Sequence, residues 1–145
     1  MYDFSNQLFV TFSYKVINVI YKRQEAFRFQ FQQPIHGTFK IVSINGKQGD
    51  AKSAIAYIVD ISPNGIKFRS PINLPIDQND FLLEISFLLA ERFINVLGKP
   101  KWKKTEGKMW VYGFTGLDDK ETKKEIVNVL KIYTKKVHNE SKNLG

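Results

Sequence analysis

Ser53-Ala54-Ile55-Ala56-Tyr57-Ile58-Val59-Asp60-Ile61-Ser62-Pro63-Asn64-Gly65-Ile66-Lys67-Phe68 is the stretch on which the fold turns. Its first nine residues include β-branched and aromatic side chains that suit a pleated surface. Pro63-Asn64-Gly65 is turn chemistry, because proline presets φ and asparagine and glycine tolerate tight backbone. The stretch reads as a strand over Ser53 to Ile61, a tight turn, and a returning strand that begins at Ile66 to Phe68. Alternation puts Ile55, Tyr57, Val59 and Ile61 on one face, expected to be the inner one. Asp60 and Ser62 then point outward, and Gly65 is expected to supply a positive φ.

The same period of two extends both ways from this hairpin. Upstream, Phe27, Phe29 and Phe31 alternate with Arg28, Gln30 and Gln32, a half-buried strand with Arg28 on its wet face. Pro34 and Gly37 are expected to interrupt it before Thr38 to Ile44 resumes an extended pattern. Asn45-Gly46 signals a turn, and Gly46 to Asp50 reads as loop. Downstream, Pro71 and Pro75 bracket a loop, and Phe81, Leu83, Ile85, Phe87 and Leu89 form a core stripe. Phe93 to Lys104 and Lys108 to Phe114 read as a hairpin around Thr105-Glu106-Gly107. Many short strands joined by turns indicate a small antiparallel barrel or sandwich.

After residue 117 the period changes. Asp118 and Glu121 have capping-box spacing, and Ile126, Val129, Leu130 and Tyr133 recur on one helical face. Lys131, Lys135 and Lys136 suit the negative end of the helix dipole. The organisation expected is an N-terminal extension over residues 1–21 with an alternating strand pattern, a domain over 22–137, and a polar flexible tail over 138–145.

Composition bounds the chemistry. A chain of 145 residues with 12 Phe, 6 Tyr and 2 Trp buries one ordinary core and is ordered over most of its length. Without cysteine there is no disulfide, thiolate site or thiol nucleophile, and His36 and His138 are too far apart in sequence to suggest a zinc site. The longest apolar run, Phe81 to Ala90, contains Glu84 and falls short of the ~20 residues of a membrane helix. The N-terminus lacks the pattern of a signal peptide, so a cytoplasmic location without membrane insertion is expected. The net charge of +8 favours an anionic partner. No activated nucleophile or phosphate-cradling glycine loop is present, so an enzyme is not expected.

Two segments carry the functional reading. One is Tyr21-Lys22-Arg23-Gln24-Glu25-Ala26-Phe27-Arg28-Phe29, basic and leading into a strand; the other is Asp60-x-Ser62-x-x-Gly65 at the hairpin. In order and context they resemble the PilZ family, bacterial cytosolic receptors for cyclic di-GMP, whose pattern is Arg-x-x-x-Arg followed by Asp/Asn-x-Ser-x-x-Gly. Gly98-Lys99-Pro100-Lys101-Trp102, Tyr112-Gly113-Phe114 and Leu117-Asp118 before a helix look like the later part of the family, so the likeness spans Tyr21 to Lys136. The second motif is complete. In the first, Arg28 matches the second arginine, Gln24 stands where the first belongs, and Arg23 matches an arginine that often precedes it.

The resemblance implies a six-stranded antiparallel β-barrel with a C-terminal α-helix. It also implies a receptor or adaptor that signals to a protein partner in motility, exopolysaccharide or biofilm control. The ligand-binding residues it implies are Lys22, Arg23, Gln24, Arg28, Asp60, Ser62, Gly65 and Trp102, with cyclic di-GMP as ligand and no metal or other cofactor. The chemistry is consistent: an arginine fork grips phosphate or pairs with guanine O6 and N7, and a carboxylate accepts from the guanine N1–H and N2–H₂ edge.

Plainer accounts stand beside these. Asp60-x-Ser62-x-x-Gly65 is also a serine-stabilised turn, and the basic segment also reads as a solvated strand edge. Trp102 also reads as core, and the lysines at 99, 101, 103, 104 and 108 as a solvated hairpin. Gln24 leaves open an adaptor that no longer binds the dinucleotide, and the basic, aromatic composition leaves a less favoured nucleic-acid-binding barrel.

Overall fold

Strand order follows from which side chains must be hidden. A computed structural model describes residues 28–50 and 52–144. The strands are β1 (Phe29–Ile44), β2 (Lys47–Gln48), β3 (Ser53–Ile61), β4 (Gly65–Ser70), β5 (Phe81–Leu89), β6 (Arg92–Glu106) and β7 (Met109–Gly116), followed by helix α1 (Lys120–Leu144). All pairings are antiparallel, in the order β2-β1-β3-β4-β7-β6-β5, and β1 pairs with β5 to close a six-stranded barrel. The expected barrel and C-terminal helix are both present. The N-terminal extension and residues 22–27 lie outside the described residues.

The core is a cylinder of aromatic and branched side chains. Strand β5 shows why it forms: Phe81, Leu83, Ile85, Phe87 and Leu89 are all buried, and the residues between them are half-buried or exposed. Each such side chain contributes roughly 1.5–3 kcal/mol on burial. Phe39, Phe68, Phe87, Phe114 and Tyr112 fill the middle, with the Phe68 and Tyr112 rings stacked at 5.1 Å. The Tyr112 hydroxyl donates to the Ile72 carbonyl at 2.6 Å and accepts the Leu74 N–H at 2.8 Å, tying the 71–80 loop to the barrel. Burial pushes this phenol above its ordinary pKa, against the opposing hydrogen bond from Leu74.

Helix α1 covers the barrel end where β1 begins. Ile126, Val129 and Leu130 are buried as expected, and Val127 joins them. Tyr133 sets its ring edge-on to Phe29 and Phe31 at 5.7 and 5.5 Å. The cap is Asp119 rather than Asp118: its carboxylate accepts the Glu121 N–H at 3.0 Å and the Thr122 hydroxyl at 2.7 Å. Those bonds hold the Asp119 carboxyl below its ordinary pKa. Asp118 instead pairs with Lys123 at 2.9 Å, which lowers its own. The helix backbone continues to Leu144, through residues expected as a tail.

Three further expectations are corrected. Strand β1 does not stop at Pro34 and Gly37 but runs through both. Its ladder with β3 slips instead, since Gln30 faces Asp60 while Ile35 faces Ile58. Pro34, which has no N–H to offer, falls in that slip. The span read as loop after Asn45-Gly46 contains β2, which pairs Lys47 and Gln48 with Ile44 and Ser43. Both turn residues have positive φ, 53° and 82°, the hairpin geometry that Asn-Gly favours. In β3 the inner face is the other one: Ala56 and Ile58 are fully buried, while Ile55 is 48% exposed. Both parities of this strand are apolar, and small Ala56 fits where large aromatic rings already fill the interior.

Candidate functional site

The site is made by a ladder defect. Ile58 and Ile61 are both buried although three residues apart, which strict alternation forbids. The pairing of β3 with β4 slips between Ile58 and Asp60, so the strand absorbs one extra residue. This phase change returns Ile61 to the core and turns Asp60 toward the mouth of the barrel. On the other side of β3, Phe29 pairs with Ile61 and Gln30 with Asp60. The next residue out, Arg28, therefore lies diagonally across from Asp60. Its Nη1 donates to Asp60 Oδ1 at 2.5 Å, an ion pair joining positions 32 apart in sequence. The arginine side chain is 51% exposed and the aspartate 10%. The carboxylate is covered and the guanidinium faces solvent.

Ser62 and Gly65 close the turn between β3 and β4. The Ser62 N–H donates to the Gly65 carbonyl at 2.8 Å, and the Gly65 N–H donates to Ser62 Oγ at 3.0 Å. The serine-stabilised turn is therefore present. Ser62 is buried in this role rather than openly exposed as expected. Gly65 also differs from expectation, because its φ is not positive. A glycine is needed there for space: a Cβ would lie 2.8 Å from the Phe114 carbonyl oxygen and 3.1 Å from Arg28 Nη2. The missing side chain lets the guanidinium lie across the strand.

Arg28, Ser62, Asn64, Gly65 and Thr115 line an open cleft of about 400 Å³. That is within the range of small-ligand sites. Of the sequence candidates, Arg28, Asp60, Ser62 and Gly65 converge here. Asn64 and Thr115 were not foreseen. Asn64 sits inside the turn motif, and its carbonyl accepts the Gly116 N–H at 2.9 Å. Thr115 is placed by register alone, opposite Gly65. Lys22, Arg23 and Gln24 fall outside the described residues.

Trp102 is 44% exposed, which removes the core reading. It pairs with Gly113, and a Cβ on that glycine would fall 2.0 Å from the indole Nε1, so the ring lies flat on the strand. Gly113 and Thr115 share the outer face of β7, which sets the indole beside the cleft, ~7 Å along the strand from Thr115. Lys104 Nζ lies 5.9 Å from the ring centroid. Lys103, by contrast, bonds Asn73 Oδ1 and the Leu74 carbonyl, both at 2.7 Å, and is a structural tether. Among the described residues, no group of three or more acidic or histidine side chains could hold a metal, and no helix is long and apolar enough to cross a membrane.

Comparison with known proteins follows the geometry. The model for the PilZ domain matches residues 22–131. No curated protein matches the chain. Among solved structures, the PilZ domain of YcgR from Escherichia coli, solved with c-di-GMP, is 12% identical. It superposes with a TM-score of 0.56 over 83% of this chain and 98% of that one. The PilZ domain of CeSA from a cellulose-synthesizing bacterium is 10% identical, with a TM-score of 0.49 over 72% of this chain and 94% of that one. With the family model covering the barrel and the first turns of the helix, the chain belongs to the PilZ domain family.

Proposed function

We propose that this chain is a cyclic di-GMP receptor whose ligand occupies the cleft between the end of β1 and the β3–β4 turn. The observation that supports it most is the meeting of half-exposed Arg28 with covered Asp60, and with Ser62 and Gly65, at one open cleft. Asp60 aims the guanidinium across Gly65, leaving its remaining donors for a phosphate or for guanine O6 and N7. The Asp60 carboxylate accepts from the guanine N1–H and N2–H₂ edge. Trp102 offers a flat surface for a base, worth about 1–3 kcal/mol per stacked base in other nucleotide sites. Lys22, Arg23 and Gln24, just before Arg28 in sequence, add further donors to the ligand, and its binding shifts the receptor between two states. The change passes to a protein partner through residues 1–21, taken as an extension separate from the 22–137 domain. The role is that of a cytoplasmic receptor and adaptor rather than an enzyme, in control of motility, exopolysaccharide or biofilm.

Gln24 supports one rival, an adaptor that has given up the nucleotide. A neutral donor contributes about 0.5–1.5 kcal/mol where a charged one contributes about 1.5–3. The difference corresponds to roughly ten-fold in affinity. Equilibrium dialysis with labelled cyclic di-GMP separates the readings. Measurable binding by the natural chain, tightened about ten-fold by Gln24→Arg, is expected. No binding by either form would overturn the receptor reading and favour the adaptor.

A further inference from the structure

One row of the sheet ties the cleft to the exposed indole. Gln30 pairs with Asp60, Asp60 with Lys67, Lys67 with Gly113, and Gly113 with Trp102. These positions therefore stand side by side on the adjacent strands β1, β3, β4, β7 and β6. On β4, Ile66, Phe68 and Ser70 are buried while Lys67 and Arg69 are half-buried, so Lys67 stands on the outer face. Its Cβ lies about 5 Å from that of Asp60 on one side. On the other side, about 5 Å away, is the place over Gly113 that the indole fills. Gly65 is two residues back along the same face, ~7 Å away, and Arg28 Nη2 lies 3.1 Å from where its Cβ would be. Lys67 thus occupies the gap between the guanidinium and the indole.

The Lys67 ammonium has no carboxylate of its own. Asp60, across the ladder, is held by Arg28, and Lys67 forms no ion pair among the described residues. Nearby lysines are committed, Lys99 to Asp80 at 3.2 Å and Lys103 to Asn73 and the Leu74 carbonyl. A half-buried cation without a partner carries a desolvation cost that an arriving anion offsets. An ammonium is a compact charge with three rotatable donors, suited to a phosphate. A nucleotide with its base on Trp102 and its sugar-phosphate ring toward Arg28 lays a phosphodiester over this gap. We propose that Lys67 is a further phosphate-binding residue, neutralising the phosphodiester between the Trp102-stacked base and Arg28. The assignment rests on the cyclic di-GMP reading of the cleft and adds to it a residue outside both sequence motifs.

Titration of cyclic di-GMP, followed by tryptophan fluorescence, tests it in the natural chain, Lys67→Met, Lys67→Arg and Lys108→Met. Lys108→Met removes the same charge at the exposed β6–β7 turn, so it measures what net charge alone contributes. Lys67→Met is expected to weaken binding at least about ten-fold, and Lys108→Met less than about two-fold. Lys67→Arg, which keeps the charge, is expected to stay within about three-fold of the natural chain. The base still stacks on Trp102 in Lys67→Met, so its quenching at saturation should match that of the natural chain. Equal affinities of Lys67→Met and Lys108→Met overturn the assignment while leaving the receptor reading intact. So does a Lys67→Arg variant as weak as Lys67→Met, or a Lys67→Met variant that loses the quench at saturation, which would make Lys67 only a support for the indole. A natural chain that binds no cyclic di-GMP removes the receptor reading and this assignment together.

Discussion

Strand β5 and the junction of β1 with β3 obey alternation to very different degrees. In β5 every second residue from Phe81 to Leu89 is buried, and the ladder to β6 runs without a slip. At the junction, β3 slips against both neighbours, and Ile58 and Ile61 enter the core three residues apart. The regular strand supplies stability. The irregular one brings a carboxylate, a hydroxyl and an arginine to the barrel mouth without opening the core, because the apolar residues on either side still pack. A bulge therefore aims polar groups at a small cost in pairing.

Phe68→Ala should have the largest effect on stability, since it empties a fully buried position that stacks on Tyr112. A loss of about 3–5 kcal/mol is expected in chemical denaturation. Gly65→Ala strikes the irregular region: its Cβ meets a backbone carbonyl and the Arg28 guanidinium. A loss of about 1–3 kcal/mol is expected, together with displacement of Arg28 seen in its side-chain NMR signals. If Gly65→Ala left both unchanged, close approach would not be the reason for that glycine.

Tyr112→Phe should cost about 1–2 kcal/mol, because the buried Leu74 N–H loses its acceptor. The phenol is held protonated by burial, so its folded pKa lies above the unfolded one. Its contribution is complete below about pH 10 and is lost as pH rises through the folded value. The natural chain should accordingly lose stability in alkali faster than the phenylalanine variant. The smallest effect is expected at the helix cap. Asp119→Ala should lower Tm modestly at neutral pH by removing the Glu121 and Thr122 contacts. The folded Asp119 pKa is depressed, so its contribution is present above about pH 4 and lost as pH falls through the folded value. Thermal melts of the two proteins should converge in acid.

The contrast between the two regions also explains what the residues disclosed. Period two in β5, the Asn45-Gly46 turn and the β6–β7 hairpin are local signals, and all were readable. The turn motif was readable as well, because Ser62 and Gly65 bond each other within three residues. The inner face of β3 was not: Ile55, Tyr57 and Val59 outweigh Ala54, Ala56 and Ile58 in bulk, and only the packed interior decides between them. Nor does any local pattern announce a slip at Val59, the two-residue strand β2, or Thr115 beside Gly65, all of which are set by register across the sheet. The reason for Gly65 was misread for a similar cause. Its neighbours Phe114 and Arg28 are distant in sequence.

Calorimetric titration of cyclic di-GMP into the natural chain, Arg28→Ala and Asp60→Ala tests the central claim most directly. The Arg28 guanidinium is half-exposed and the Asp60 carboxylate is covered, so both variants should stay folded, with Arg28→Ala losing more stability because it leaves the carboxylate without its partner. The account predicts saturable heat for the natural chain, with affinity reduced about ten- to hundred-fold in either variant. Equal affinity in all three proteins would contradict it, placing the nucleotide somewhere other than the mouth of the barrel.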